Sequence, residues 1–251
     1  MKNIVCKLNP TYSLGDTIVS LNIIFNICKQ LERSVILNII NENLILELMD
    51  IFDYEDRIIL QTNKNKQYRP IFPFRIGNFI NIGIDSKKYW CGHIRGFISE
   101  RFANLRKFIL PNHKLVKPQK REYFCYQVDS HSNFNDCKPK LKLWEIKNII
   151  QNFQNEDSYF IGKVGTKKIF QNQKTHFNSL IQQAEFLLGC KKFFGIDSGM
   201  SHLAGTLGVD GDIILQQTKE HCINCVEKTY NVMYPQFRIH KKDELKFLFK
   251  V

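Results

Sequence analysis

Segments with the pattern of strands alternate with segments with the pattern of helices, and this alternation constrains the fold more than any other feature of the chain. Residues 3–8 form a short apolar run, residues 17–33 carry apolar side chains at helical spacing, and residues 34–40 return to a β-rich pattern. The alternation restarts after residue 122, with predicted strands at 123–128, 158–162, 192–196 and 213–216 and predicted helices at 143–153, 177–188 and 200–207. The pattern predicts an α/β fold in which helices cover parallel sheets.

A segment rich in Pro and Lys, residues 111–120, separates the two runs. Its composition is typical of a linker. We therefore predict two Rossmann-like lobes, residues 1–112 and residues 113–251, whose parallel sheets face a central cleft. Ligands of such folds bind at the carboxyl ends of the strands, where helix N-termini present free amides.

The composition excludes several classes of protein. The chain has 251 residues, with 36 Lys and Arg against 24 Asp and Glu, which gives a formal net charge of +12. Its apolar runs are interrupted within about ten positions, whereas a membrane span needs ~20 apolar residues. Residues 1–10 lack the apolar core of a signal peptide, so we expect a cytoplasmic protein. The basic residues form scattered clusters without a nucleic-acid-binding motif, which disfavours nucleic acid and favours anionic ligands or an anionic membrane surface.

The most informative segment begins where the predicted strand 192–196 ends. Asp197, Ser198 and Gly199 form the turn, and a helix of small residues that contains His202 follows. Asp197 stands at the carboxyl end of the strand, and the free N–H groups at the start of the helix face any anion in the cleft, so Ser198 could cap the helix and also bind a phosphate. Helix capping by Asp197 and Ser198, with His202 packed in the core, explains the same residues without a ligand.

This segment resembles the C-terminal signature of the heptosyltransferase family, the family 9 glycosyltransferases, whose pattern is D-[ST]-G-x-x-H-L-A-x-x-L-G. The fixed positions are matched by Asp197, Ser198, Gly199, His202, Leu203, Ala204, Leu207 and Gly208. The resemblance implies the GT-B fold, with the nucleotide sugar on the C-terminal lobe and the acceptor on the N-terminal lobe. It also implies that Asp197 binds donor-sugar hydroxyls and that Ser198, Gly199 and His202 belong to the donor site. Members of the family are usually longer than this chain, so we expect a shortened form.

The N-terminal region carries a second match. Family members have a loop that ends in [ML]-G-D before the first helix, and Ser13, Leu14, Gly15 and Asp16 occupy that place. The resemblance implies that Asp16 is the general base, with Ser13 and Gly15 on the acceptor side. An Asp in front of a helix is also often its N-cap, so capping remains the alternative.

A third match concerns a lysine that binds the donor diphosphate. The family places it two residues before a Trp, and Lys142 precedes Trp144 at that spacing. Lys138 and Lys140 are alternatives, and a solvated lysine cluster is the competing interpretation. Ser130 and Ser132 are candidate phosphate-binding hydroxyls.

The resemblance implies an inverting glycosyltransferase. Such an enzyme would move a heptose or another hexose-type sugar from a nucleotide-diphosphate donor to a hydroxyl of a surface glycan or a lipopolysaccharide-like acceptor. It would need no catalytic metal and no cofactor beyond the nucleotide sugar, and it would act in the cytoplasm, at the inner face of the membrane. The alternative is a non-catalytic GT-B-like protein that binds a nucleotide or glycan or serves in assembly.

One cysteine motif stands apart from these matches. Cys222 and Cys225 form a CxxC directly after His221, in a segment that we predict to be a loop. This spacing suits a structural metal site, a redox pair or free thiols. The sequence contains no second CxxC, so all three interpretations stay open.

Overall fold

The structure of the protein is a computed structural model. It describes residues 4–7, 13–31, 34–39, 42–54, 56–62, 79–80, 108–116, 123–128, 141, 145, 157–161, 177–218 and 220–244. The chain divides into two compact units, Met1–Lys114 and Leu115–Val251. Most of the helix predicted at 143–153 lies outside the described residues.

The first unit is an α/β structure built on a parallel sheet. Its strands are β1 (Ile4–Lys7), β2 (Val35–Ile39), β3 (Phe52–Asp53), β4 (Ile58–Thr62), β5 (Phe79–Ile80) and β6 (Asn112–His113). Its described helices are α1 (Leu14–Leu31) and α2 (Glu42–Ile51). The main sheet has the order β4-β2-β1-β5 with every pair parallel, and β3 pairs with β6 antiparallel.

Helix α1 buries the apolar face that its sequence period predicts. The described members of this face, all buried, are Ile18, Leu21, Ile24, Phe25 and Cys28. The helix starts at Leu14, earlier than the predicted residue 17, because Ser13 accepts a hydrogen bond from the Asp16 amide at 3.3 Å. The predicted loop therefore ends sooner, and Asp16 lies in the first helical turn.

Within the described residues, no helix combines the length and the apolar character that crossing a membrane requires.

A buried amide ties the end of the first unit to α1. The side chain of Asn26 donates to the carbonyl of Ile109 at 2.7 Å and accepts from the amide of Ile109 at 2.9 Å. Asn26 is fully buried, so these bonds satisfy a group that would otherwise be costly inside the unit. These two hydrogen bonds join residues that are 83 positions apart in the sequence.

The second unit contains a five-stranded sheet in which all pairs are parallel. Its strands are β7 (Phe124–Gln127), β8 (Ser158–Phe160), β9 (Lys192–Ile196), β10 (Gly211–Leu215) and β11 (Phe237–Lys241). Its described helices are α3 (Leu180–Gly189), α4 (Gly199–Thr206) and α5 (Glu220–Met233). The strand order is β11-β10-β9-β7-β8. Strand β8 therefore lies on one side of β7, and the later strands β9, β10 and β11 follow one another on its other side. The direction of winding reverses between β7 and β9, which is where open α/β sheets bind ligands.

Glycines end α4 and allow it to pack closely. Gly208 has φ +76°, and the amides of Gly208 and Val209 donate to the carbonyls of Gly205 and Ala204 at 3.1 and 3.0 Å. This is the Schellman pattern, in which glycine adopts the left-handed conformation without strain. Gly205 has another role, because a Cβ there would lie 2.6 Å from the ring of Tyr234.

Replacing Gly205 by Ala should lower the free energy of unfolding by about 1–3 kcal/mol, since the added methyl overlaps a buried ring and overpacks the core. Urea unfolding of the purified protein measures this change. Gly208→Asn is the control, because Asn tolerates positive φ and a Cβ added at this position would have no atom within 4 Å. A Gly205→Ala protein with the wild-type urea midpoint would contradict the packing described here.

Candidate functional site

Polar side chains meet at the carboxyl end of the second unit's sheet. Gln127 is the last residue of β7, Asp197 follows β9 directly, and Gln217 lies two residues after β10. Neighbouring parallel strands bring these ends together at the point where the winding reverses. The side chains of Ser198 and Gln127 are hydrogen-bonded, which links the ends of β9 and β7.

Asp197 is the centre of this cluster and is 3% exposed. One carboxylate oxygen, Oδ2, accepts from Nε2 of Gln217 at 2.7 Å, and the other, Oδ1, accepts from the Tyr230 hydroxyl at 3.1 Å. Nε2 of His202 lies 3.5 Å from Oδ1. A buried carboxylate is costly unless polar groups surround it, and these three side chains supply them. They also hold the carboxylate in one orientation.

Ser198 caps α4, as its position after a strand predicted. Its Oγ accepts from the Ser201 amide at 3.4 Å, while Ser201 Oγ accepts from the Ser198 amide at 2.9 Å. This reciprocal pair is a capping box. The amides of Gly199 and Met200 stand earlier in the same turn, where helix geometry provides no intrahelical acceptor. The start of α4 therefore offers N–H donors and the positive end of a helix dipole to an anion.

His202 is 2% exposed and packs within the second unit. Its ring stacks on Tyr230 with centroids 4.9 Å apart, and its Nδ1 lies 3.3 Å from the Tyr234 hydroxyl. These contacts agree with the alternative that His202 is a core residue. It also contacts Asp197, so it belongs to the same cluster, and its place in a donor site stays a prediction.

The sequence patterns did not identify four members of the cluster: Gln127, Gln217, Tyr230 and Tyr234. The two glutamines carried a usable signal, since each is a polar residue at or just after a buried strand. Tyr230 lies in α5 and Tyr234 directly follows it, and the sequence patterns did not predict this helix.

The predicted acceptor-side residues lie together at the start of α1. Ser13 Oγ donates to Oδ2 of Asp16 at 2.9 Å, and Gly15 between them is buried. Ser13, and not Asp16, is the N-cap, so the alternative of Asp16 as cap is wrong. Asp16 keeps a half-exposed carboxylate, which can accept a proton as a general base must.

Some predicted residues cannot be placed. Lys142, Ser130 and Ser132 lie outside the described residues, as do the side chains of His221, Cys222 and Cys225. The backbone of His221, Cys222 and Cys225 lies in α5, so the prediction of a loop at 221–225 is wrong. Helix formation is favoured there because residues such as Val226 and Tyr230 bury one face of α5. Among the side chains that the structure describes, no three His, Cys, Asp or Glu groups converge in a way that could hold a metal ion.

A separate ionic cluster surrounds Asp212, near the start of β10. Its Oδ1 lies 2.9 Å from Nε of Arg238 and 2.8 Å from Nε2 of His240, and its Oδ2 pairs with Lys192. Burial raises the pKa of Asp212, but the bonds from His240 and Lys192 and the charges of Lys192 and Arg238 outweigh burial. The pKa is therefore held well below its ordinary value of 3.8. Asp212 thus contacts three basic side chains.

The free energy of unfolding should fall as the pH drops below about 4, because the unfolded chain then protonates Asp212 while the folded one does not. Above about pH 4, the contribution of ionised Asp212 to the free energy of unfolding is fully present. Asp212→Asn should flatten this part of the profile and should cost about 1.5–3 kcal/mol at pH 7. Urea unfolding between pH 3 and about pH 7 tests this, with the exposed Asp210→Asn as control. Parallel profiles for wild type and Asp212→Asn would count against the assignment.

Comparison with solved structures identifies the known fold that the chain shares. No protein-family model and no curated protein matches the sequence. Among solved structures, the chain is similar to TibC, an iron-containing dodecameric glycosyltransferase from enterotoxigenic E. coli H10407, with 14% identity and a TM-score of 0.56. The match covers 85% of this chain but only 58% of TibC, so the chain spans less than two thirds of that protein. TibC has also been solved with ADP-D-β-D-heptose.

Two further structures match over more of their length. A family 9 glycosyltransferase from Veillonella parvula DSM 2008 shares 10% identity at a TM-score of 0.59, covering 97% of this chain and 86% of that one. The E. coli heptosyltransferase WaaC, solved with ADP, shares 8% identity at a TM-score of 0.50, covering 95% and 93%. At such identities the likeness establishes the fold. The chain therefore has the α/β GT-B fold of heptosyltransferases and family 9 glycosyltransferases.

Proposed function

We propose that this chain is an inverting glycosyltransferase that moves a heptose or another hexose-type sugar from a nucleotide diphosphate to a hydroxyl of a glycan. The observation that carries the proposal is the position of Asp197, Ser198 and Gly199. They stand at the point where the sheet reverses its winding, in a chain with the fold of glycosyltransferases.

The second unit would bind the donor. The amides at the start of α4 suit a diphosphate, because they combine N–H donors with the positive end of the helix dipole. We assign Lys142 to the same diphosphate, with Ser130 and Ser132 as further phosphate ligands. Asp197 would accept hydroxyls of the sugar, since an ionised carboxylate only accepts hydrogen bonds and this one follows β9 at its carboxyl end.

The first unit would bind the acceptor. Asp16 would remove the proton from the acceptor hydroxyl, which then attacks the anomeric carbon while the nucleotide diphosphate leaves. Ser13 orients the carboxylate through its hydrogen bond, and Gly15 belongs to the same turn. The net charge of +12 favours an anionic glycolipid acceptor at the inner face of a membrane.

Amides and lysine would neutralise the leaving diphosphate, so the proposal assigns no metal to catalysis. A structural metal on His221, Cys222 and Cys225 is a separate proposal. It is supported by the positions of the two cysteines, which are three residues apart on α5 and so share a face of that helix. Metal analysis of the purified protein and of a Cys222→Ser/Cys225→Ser variant tests it, and equal metal content in both would refute it.

A thermal-shift panel followed by a turnover assay tests the proposed function. The panel contains nucleoside diphosphates including ADP, nucleotide sugars including ADP-heptose, and a polynucleotide. Stabilisation by a diphosphate and its sugar, with release of the diphosphate on adding a glycolipid acceptor, supports the enzyme. Stabilisation without turnover indicates a binding protein instead, and a response to polynucleotide alone excludes both.

A further inference from the structure

Gln217 has a buried hydrogen-bonding atom that the described residues of the second unit leave unused. The residue is 8% exposed, and its Nε2 donates to Asp197 at 2.7 Å. Its Oε1 is fully buried and has no hydrogen-bond partner within the described part of the chain. Buried polar atoms are nearly always paired, and leaving one unpaired costs about 1–3 kcal/mol. This oxygen therefore requires an explanation.

The chemistry of Asp197 determines which atom of the amide is free. An ionised carboxylate only accepts hydrogen bonds, so the amide must turn its NH₂ group towards Asp197. The opposite orientation would set two acceptor oxygens against each other. The unused atom is thus an acceptor, and the partner it lacks must be an O–H or N–H donor.

The position of Gln217 relates this acceptor to the donor site. It follows β10, while the adjacent β9 leads through Asp197 into the amides that start α4. Those amides attract an anion, whereas a carbonyl oxygen repels one. One end of the sheet therefore offers sites for both an anionic group and a neutral hydroxyl, which are the two chemistries that a nucleotide sugar combines.

We propose that Oε1 of Gln217 accepts a hydrogen bond from a hydroxyl of the bound nucleotide sugar, and that Gln217 is a specificity-determining residue. This inference rests on the proposed function. The hydroxyl belongs either to the ribose or to the transferred sugar. Nε2 then holds the amide in place against Asp197 while Oε1 selects a ligand that can donate.

The first arm of the test changes the ligand and uses the wild-type protein. Dissociation constants are measured by calorimetry for ADP, 2′-deoxy-ADP, 3′-deoxy-ADP, ADP-heptose and inorganic pyrophosphate. If the hydroxyl is on the ribose, one deoxy analogue should bind roughly tenfold more weakly than ADP, the value of one hydrogen bond to a buried acceptor. Because no variant is needed, this arm does not depend on how a mutant folds.

The second arm uses Gln217→Met, which keeps the length of the side chain and removes the amide. It should bind ADP roughly tenfold more weakly, with no further loss for the deoxy analogue. If the hydroxyl is on the sugar, the variant should instead lose only the extra affinity of ADP-heptose over ADP. Gln236→Met is the matched control, because Gln236 bonds to the carbonyl of Gly205, and its variant should bind every ligand like the wild type.

Two results would overturn the inference. One is a Gln217→Met protein that binds ADP and ADP-heptose as the wild type does. The other is an equal loss for all ligands, pyrophosphate included, because Gln217 would then act only through Asp197. If the wild type binds none of the diphosphates, the proposed function itself fails, so the two failures are distinguishable.

Discussion

Replacing Asp16 by Asn is expected to slow glycosyl transfer by about 10²–10⁴-fold, because the variant has no group that can accept the proton of the acceptor hydroxyl. The change is conservative in structure. Asn keeps an oxygen that can accept the hydrogen bond from Ser13, and only the favourable interaction of a charge with the start of α1 is lost, about 0.3–1 kcal/mol. Single-turnover transfer with bound donor measures the effect.

Binding of the nucleotide should be unchanged in Asp16→Asn, since the residues proposed for the donor belong to the second unit. Glu220→Gln is a matched control, because it removes an exposed acidic charge from the first turn of α5 and should leave transfer unaffected. Full transfer by Asp16→Asn would exclude Asp16 as the base. A parallel loss of nucleotide affinity would show that the substitution disturbs more than proton transfer.

Asp197→Ala should lower the free energy of unfolding by about 3–5 kcal/mol, because it removes a buried carboxylate from the side chains that donate hydrogen bonds to it. Gln217 and Tyr230 would both lose the acceptor of a buried hydrogen bond, and Nε2 of His202 would lose its contact with the carboxylate. Urea unfolding followed by circular dichroism measures the loss.

Asp197→Asn separates the shape of the side chain from its charge. Its oxygen can still accept from Gln217, and its NH₂ can donate to Tyr230, whose hydroxyl also accepts. We therefore expect a loss of only about 1–2 kcal/mol. If Ala and Asn destabilise the protein equally, the hydrogen bonds described here do not account for the stability of the cluster.

Local patterns predicted much of the fold. The strand 192–196 was predicted with its observed limits, and the apolar spacing of α1 identified the face that is buried. Both depend on the order of residues within one element, which a sequence displays directly. Ser198 was likewise predicted as a cap from its place between a strand and a helix, and the capping box confirms it.

Other features depend on contacts between distant residues. The two hydrogen bonds between the Asn26 side chain and the backbone of Ile109 could not be predicted from the residues around Asn26, because an Asn inside a helix normally faces solvent. The helix α5 was missed because its sequence is polar and its cysteines suggested a loop. The contacts that bury it appear only in the tertiary structure, where Tyr230 of α5 and Tyr234, which directly follows α5, both pack against His202 of α4.

The sequence by itself determined the α/β architecture and the residues at the ends of β9 and α1, since periodicity and turn chemistry are properties of short segments. Only the tertiary structure decided which groups surround Asp197. Gln217 and Tyr230 lie 20 and 33 positions away from it in sequence, and no local pattern relates them to it. The order of strands in the sheet and the packing of α5 bring them together, because the burial of one carboxylate requires hydrogen-bond donors from wherever the fold can supply them.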